Sequence, residues 1–81
     1  MIRRSTLLPA VIRFLAEKTG KSAKLRDISK RVYNAVDKGS LDKTRKLITR
    51  NIPLLEQRNT PLRLLWNDQT EVASLRNRDE T

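Results

Sequence analysis

The sequence predicts an α/β fold, with a small domain of helix and sheet that follows a basic N-terminal helix. Apolar residues recur every three or four positions across residues 41–57, which indicates a helix. Leu62, Leu64 and Trp66 alternate with Arg63 and Leu65, which indicates a strand, and residues 70–75 can return as a second one. With 81 residues, the chain has room for one such domain. The alternative is a small all-α domain, in which the ambiguous segment 25–36 is also helical.

Residues 7–19 are predicted to form the N-terminal helix, because Ser5 or Thr6 can cap it and Gly20 can end it. Its apolar stripe consists of Leu8, Val11, Ile12 and Leu15. The first sixteen residues contain three Arg residues and no acid. This composition is typical of a mitochondrial targeting segment, and equally of an ordinary basic first helix. We therefore divide the chain into a basic extension at 1–24, a small α/β domain at 25–76 and a polar tail at 77–81.

The segment 25–36 fits two structures. The apolar residues Leu25, Ile28, Val32 and Val36 follow helical 3-4-4 spacing. The last three of them also share strand parity, and β-branched residues and Tyr33 favour a strand. Periodicity alone tilts towards a helix.

The helix predicted at 41–57 begins after Ser40, which can cap it, and carries Asp42 in its first turn, where the helix dipole favours an acid. Its buried stripe is predicted to be Leu47, Ile48, Ile52 and Leu55. Pro53 removes one backbone donor, so we expect a kink or a break there.

A longer pattern extends through residues 44–61 and into the strand at 62–66. It consists of Arg45, Leu47, Ile48, Pro53 and Asn59. The pattern resembles the thioredoxin-like family that some mitochondrial ribosomal proteins share with a small accessory subunit of respiratory complex I. The resemblance implies that residues 25–36 form the first strand, against their helical spacing. It thus implies an abbreviated thioredoxin-like β-α-β-β unit.

The chain departs from this family in three ways. Leu47 stands where an aromatic residue is usual, and Thr60 separates Asn59 from Pro61. The family's last strand and helix are also missing. An incomplete sheet needs cover at its open edge. We count seven residues in the expected core, namely Leu47, Ile48, Ile52, Leu55, Leu62, Leu64 and Trp66. So small a core predicts a chain that is not stable as a free monomer and becomes ordered on a host assembly.

The composition argues against an enzyme. The chain has no Cys and no His, which removes the disulfide, the thiolate nucleophile and the commonest general base and metal ligand. We expect no catalytic residue, cofactor or metal, and no apolar run is long enough to span a membrane. The net charge is +9, and residues 1–31 alone carry nine basic and two acidic residues. This asymmetry fits a nucleic-acid partner.

These observations predict a structural RNA-binding protein of the mitochondrial ribosome, located in the matrix, that neutralises ribosomal RNA phosphates and contacts neighbouring proteins. The predicted RNA-binding residues are Arg3, Arg4, Arg13, Lys18, Lys21, Lys24, Arg26, Lys30, Arg31, Lys43, Arg45, Lys46 and Arg50. Phe14 and Trp66 lie in apolar patterns and are expected in the core rather than as base-stacking platforms.

Two alternatives remain. The same resemblance permits an accessory subunit of a respiratory complex. A helix-turn-helix DNA-binding regulator is the other, with helices at 25–36 and 41–50 and a turn containing Gly39. In that case Lys43, Arg45, Lys46 and Arg50 would face DNA, and a hairpin at 52–66 would form a wing.

Overall fold

The computed structural model describes residues 4–58 and 60–78, with side chains from Leu7 onward. Three helices and three strands lie within these ranges, in the order helix, strand, helix, helix, strand, strand. They are α1 (Arg4–Glu17), β1 (Ser22–Lys24), α2 (Leu25–Tyr33), α3 (Lys38–Gln57), β2 (Leu62–Asn67) and β3 (Val72–Asn77), with a 3-10 turn at Thr19–Lys21. The predicted α/β class is confirmed, and the all-α alternative is wrong.

The three strands form one antiparallel sheet, in which β3 lies between β1 and β2. Leu64 of β2 pairs with Leu75 of β3, and both side chains are buried. Ala73 of β3 pairs with Ala23 of β1 on one side and with Trp66 of β2 on the other. The strand predicted at 62–66 is confirmed. The strand predicted at 70–75 is also present, shifted two residues towards the C-terminus.

A short turn joins β2 to β3 and makes them a hairpin. The side-chain oxygen of Asn67 accepts hydrogen bonds from the backbone N–H groups of Gln69 and Thr70, at 2.9 and 3.1 Å. Asparagine favours turns because its side chain can replace a backbone acceptor in this way. Glu71 completes the turn in the left-handed region, with φ of 55°.

The strand predicted for residues 25–36 is wrong, because α2 occupies this segment. Leu25, Ile28 and Val32 are all buried, which their spacing allows on one face of a helix. A strand would place Leu25 and Ile28 on opposite faces. Asn34 ends the helix in the left-handed conformation, with φ of 56°. The thioredoxin-like resemblance thereby loses its first strand.

The helix predicted at 41–57 is confirmed as α3, but it begins earlier and is not broken. Asp37 is its N-cap residue, and the Leu41 N–H donates to the Asp37 carbonyl at 2.9 Å. Pro53 lies inside one helix of 20 residues. Pro53 is on the exposed side, whereas Ile48 before it and Leu55 after it are buried, so both halves of the helix pack against the core.

The core is larger than the predicted one, because α1 and α2 contribute to it. Of the seven predicted core residues, Ile48, Leu55 and Leu64 are buried, and the other four are partly buried and packed against them. The buried apolar residues are Val11, Phe14, Leu15, Ala23, Leu25, Ile28, Val32, Ile48, Leu55, Leu64, Ala73 and Leu75. The core therefore includes residues on both sides of the boundary predicted between residues 24 and 25.

Candidate nucleic-acid interface

The helices α2 and α3 are joined by a tight turn of four residues, 34–37. Ser29 of α2 is fully buried, and its hydroxyl donates a hydrogen bond to the carbonyl of Ala35 at 2.6 Å. Thr44 of α3 is also fully buried, and its hydroxyl donates to the Ser40 carbonyl at 2.8 Å. The Ser29 hydrogen bond thus joins α2 to the turn, the Thr44 hydrogen bond lies within α3, and both buried hydroxyls are satisfied.

One face of α3 is buried and the opposite face is basic. Thr44, Ile48 and Leu55 point into the core. On the far side lie three exposed cations, which we call the α3 basic strip: Lys43, Lys46 and Arg50. Their spacing of three and four residues aligns them on one side of the helix. From Lys43 to Arg50 the strip extends about 10 Å along the axis, at about 1.5 Å per residue.

Two members of the strip form no ion pair with any described carboxylate, namely Lys43 and Arg50. Lys46 contacts Asp42 at 3.1 Å, but both side chains are at least half exposed. Exposed pairs of this kind contribute little and exchange readily with other partners. The strip is therefore able to bind an anion along its whole length.

A shallow groove of about 550 Å³ runs beside the strip, between α3 and the two preceding helices. Tyr33 of α2 and Leu7 of α1 form its far wall, and Leu47 lies on the α3 side. The Lys43 ammonium lies 6.0 Å from the centre of the Tyr33 ring. The groove gives the strip a partly apolar border.

Arg45 is on the same helix but is directed away from the strip. Its guanidinium binds the Glu71 carboxylate at 2.5 Å and lies 3.6 Å from Asp42. The hydrogen bond that Arg45 donates to the Glu71 carboxylate raises the pKa of Arg45 above its ordinary value. Arg45 thus joins α3 to the end of the hairpin turn. Of the four α3 cations predicted to bind nucleic acid, Arg45 is the one that forms an ion pair with a described carboxylate outside α3.

The hairpin is fastened to α3 at its base as well. The Glu56 carboxylate, near the end of α3, forms ion pairs with Arg63 of β2 at 3.1 Å and with Arg78 at 3.4 Å. Arg78 also donates to the carbonyl of Thr60 at 2.5 Å. The turn of the hairpin, residues 68–71, contains two acids and no base. The hairpin is therefore held in a defined position beside α3, but its tip does not attract phosphate.

A second basic surface lies between α1 and α2. Lys18 lies over the ring of Phe14 at 4.8 Å and Arg31 at 5.9 Å, and Lys30 lines the same cleft. Phe14 is 9% exposed, so it belongs to the core as expected. We call these four residues the Phe14 cluster.

The remaining predicted RNA-binding residues are dispersed. Arg3 lies outside the described residues, as does the side chain of Arg4. The other four are exposed and lie on different elements: Arg13 on α1, Lys21 in the 3-10 turn, Lys24 on β1 and Arg26 at the start of α2. Tyr33 and Glu71 are not among the residues that the sequence predicts for the site. Helical spacing in 25–36 was a signal for Tyr33, whereas nothing local indicates a partner for Arg45 that is 26 residues away.

No protein-family model, curated protein or solved structure matches this chain. Among the described residues, no helix is both long and apolar enough to cross a membrane. The same residues contain no group of three or more acids that could hold a metal ion.

Proposed function

We propose that this chain binds double-stranded DNA by placing α3 in the major groove, as a winged helix-turn-helix protein. The observation that carries the proposal is the tight turn between α2 and α3, which leaves the basic strip of α3 exposed. In helix-turn-helix proteins the second helix enters the major groove and the first crosses the backbone. The antiparallel hairpin that follows α3 occupies the place of a wing.

The dimensions and charges support this mode of binding. The major groove is about 12 Å wide and admits an α-helix. The α3 basic strip, about 10 Å long, matches about three base-pair steps of roughly 3.4 Å. The net charge of +9 supplies the attraction for the phosphate backbone. Because the hairpin turn is acidic, the helices rather than the wing carry the contacts with DNA.

A matched pair of double variants tests this proposal. Lys43→Gln with Arg50→Gln removes two charges from the strip, and Arg13→Gln with Arg58→Gln removes two exposed charges elsewhere. We expect the first double variant to weaken binding to a fluorescent DNA duplex about tenfold more than the second double variant does. The first double variant should also reduce the slope of the plot of log binding constant against log salt concentration by about one to two. Equal loss in the two variants would contradict a site on α3.

Ribosomal RNA remains a second candidate partner, favoured by the Phe14 cluster. Lys18, Lys30 and Arg31 present three cations at one cleft, on a surface that α3 does not share. Lys18→Gln with Arg31→Gln should then weaken binding to an RNA hairpin and leave binding to DNA duplex nearly unchanged. A greater loss for DNA than for RNA would remove this candidate. A role in the mitochondrial ribosome and a matrix location stay predictions of the sequence.

A further inference from the structure

The helix α3 carries two Arg residues in its exposed middle section, and the structure gives them different surroundings. Arg45 is held by two carboxylates, those of Glu71 and Asp42. Arg50 forms no ion pair with a described carboxylate and is exposed on the basic strip. Of these two residues, only Arg50 therefore has a guanidinium that no described carboxylate occupies and that would face the major groove of the DNA.

We infer that Arg50 reads guanine in the bound duplex and that Arg45 does not contact bases but positions the hairpin. This inference rests on the proposed function. A guanidinium is a planar fork that donates two parallel hydrogen bonds, and guanine presents the two acceptors O6 and N7 in the major groove. In Arg45 one arm of the fork, Nη2, already donates to the Glu71 carboxylate, and the other, Nη1, lies 3.6 Å from Asp42.

The neighbours of Arg50 on the strip have a different chemistry. Lys43 and Lys46 are flexible point charges, which suit phosphate oxygens rather than a planar pair of acceptors. Lys43 is also two helical turns nearer the start of α3, beside Tyr33. The strip therefore combines phosphate attraction at the lysines with base discrimination at Arg50. The ligand class is a DNA duplex with a guanine at one position of its site.

The test begins with selection of preferred sites from a pool of random duplexes by the full chain. The wild-type protein should enrich guanine at one position. Replacing that base with 7-deazaguanine, which lacks N7, should weaken wild-type binding about tenfold. The same replacement should have no effect on Arg50→Ala. Arg58→Ala removes an exposed Arg just past α3 and serves as the matched control, with the guanine preference intact.

Two further variants separate charge from shape. Arg50→Lys keeps the positive charge, so it should keep general affinity for DNA and lose the guanine preference. Arg45→Gln should keep the preference and alter the amide spectrum of the hairpin. If the chain binds no duplex, the proposed function fails. If it binds duplex but shows no guanine preference, or if the preference survives in Arg50→Ala, the inference is overturned and the proposed function stands.

Discussion

The buried hydroxyl of Ser29 donates a hydrogen bond to the backbone carbonyl of Ala35, at 2.6 Å, and so joins the body of α2 to the turn that leads into α3. The turn contains Asn34 in a left-handed conformation, and this contact spans it. The orientation of α3, and hence of its basic strip, depends on the shape of this turn.

Replacing Ser29 with Ala should destabilise the protein by about 1–3 kcal/mol, because a partly buried carbonyl loses its donor. The measurement is the free energy of unfolding in urea. Thr49→Ala is the matched control, since its hydroxyl also donates to a carbonyl, that of Arg45, but on the exposed surface. The control should change stability by no more than about 0.5 kcal/mol. Equal losses would show that the Ser29 contact does not hold the turn.

Acid should weaken the start of α3. The Ser40 hydroxyl donates to the Asp37 carboxylate at 2.5 Å and lowers the pKa of that carboxyl below its ordinary 3.8. A lowered folded pKa means that this stabilisation is present above pH 3.8 and is lost as the pH falls through the folded pKa.

Asp37→Asn should therefore be less stable than wild type near neutral pH, and the difference should shrink below pH 3.8. Thermal unfolding at a series of pH values measures this. When Ser40→Ala is already present, the loss of stability caused by Asp37→Asn should be smaller, because Ser40→Ala removes the main cause of the shift in the pKa of Asp37. A gap between wild type and Asp37→Asn that stays constant with pH would contradict this role for Asp37.

The isolated chain should fold cooperatively. The prediction of a chain that depends on a host assembly rests on seven core residues, none of which lies in the first two helices. The structure adds the buried side chains of Val11, Leu15 and Ile28 to that core, and these close it on the α1 and α2 side. The single Trp66 is half-buried against the core and serves as a reporter.

A single sharp thermal transition in Trp66 fluorescence, coincident with the loss of helical circular dichroism, is the expected result. A gradual drift of the signal without a transition would contradict cooperative folding and would indicate a chain that becomes ordered only on a partner.

Periodicity identified the long helix and the two later strands, because each has enough residues for its pattern to show. It also favours a helix at 25–36, whereas the resemblance to the thioredoxin-like family implies a strand there, which is wrong for this segment. The strand β1 is three residues long, too short to show an alternation, and exists through its pairing with β3.

The candidate site shows the same limit. Arg45 and Arg50 are five residues apart, about 140° around the helix axis, and both are predicted from the sequence to bind nucleic acid. Helical spacing therefore places them on different faces of α3, but it does not show that Glu71 of the hairpin lies beside Arg45. That contact joins residues 26 positions apart, and no local property of the sequence indicates it.

Binding of DNA through the α3 basic strip is tested most directly by an amide NMR titration of the labelled chain with a DNA duplex. We predict that the largest shifts fall on residues 43–50 of α3 and on the turn 34–37, and that residues 68–71 of the hairpin turn shift little. Shifts concentrated on Phe14, Lys18 and Arg31, with α3 unchanged, would contradict binding through the α3 basic strip.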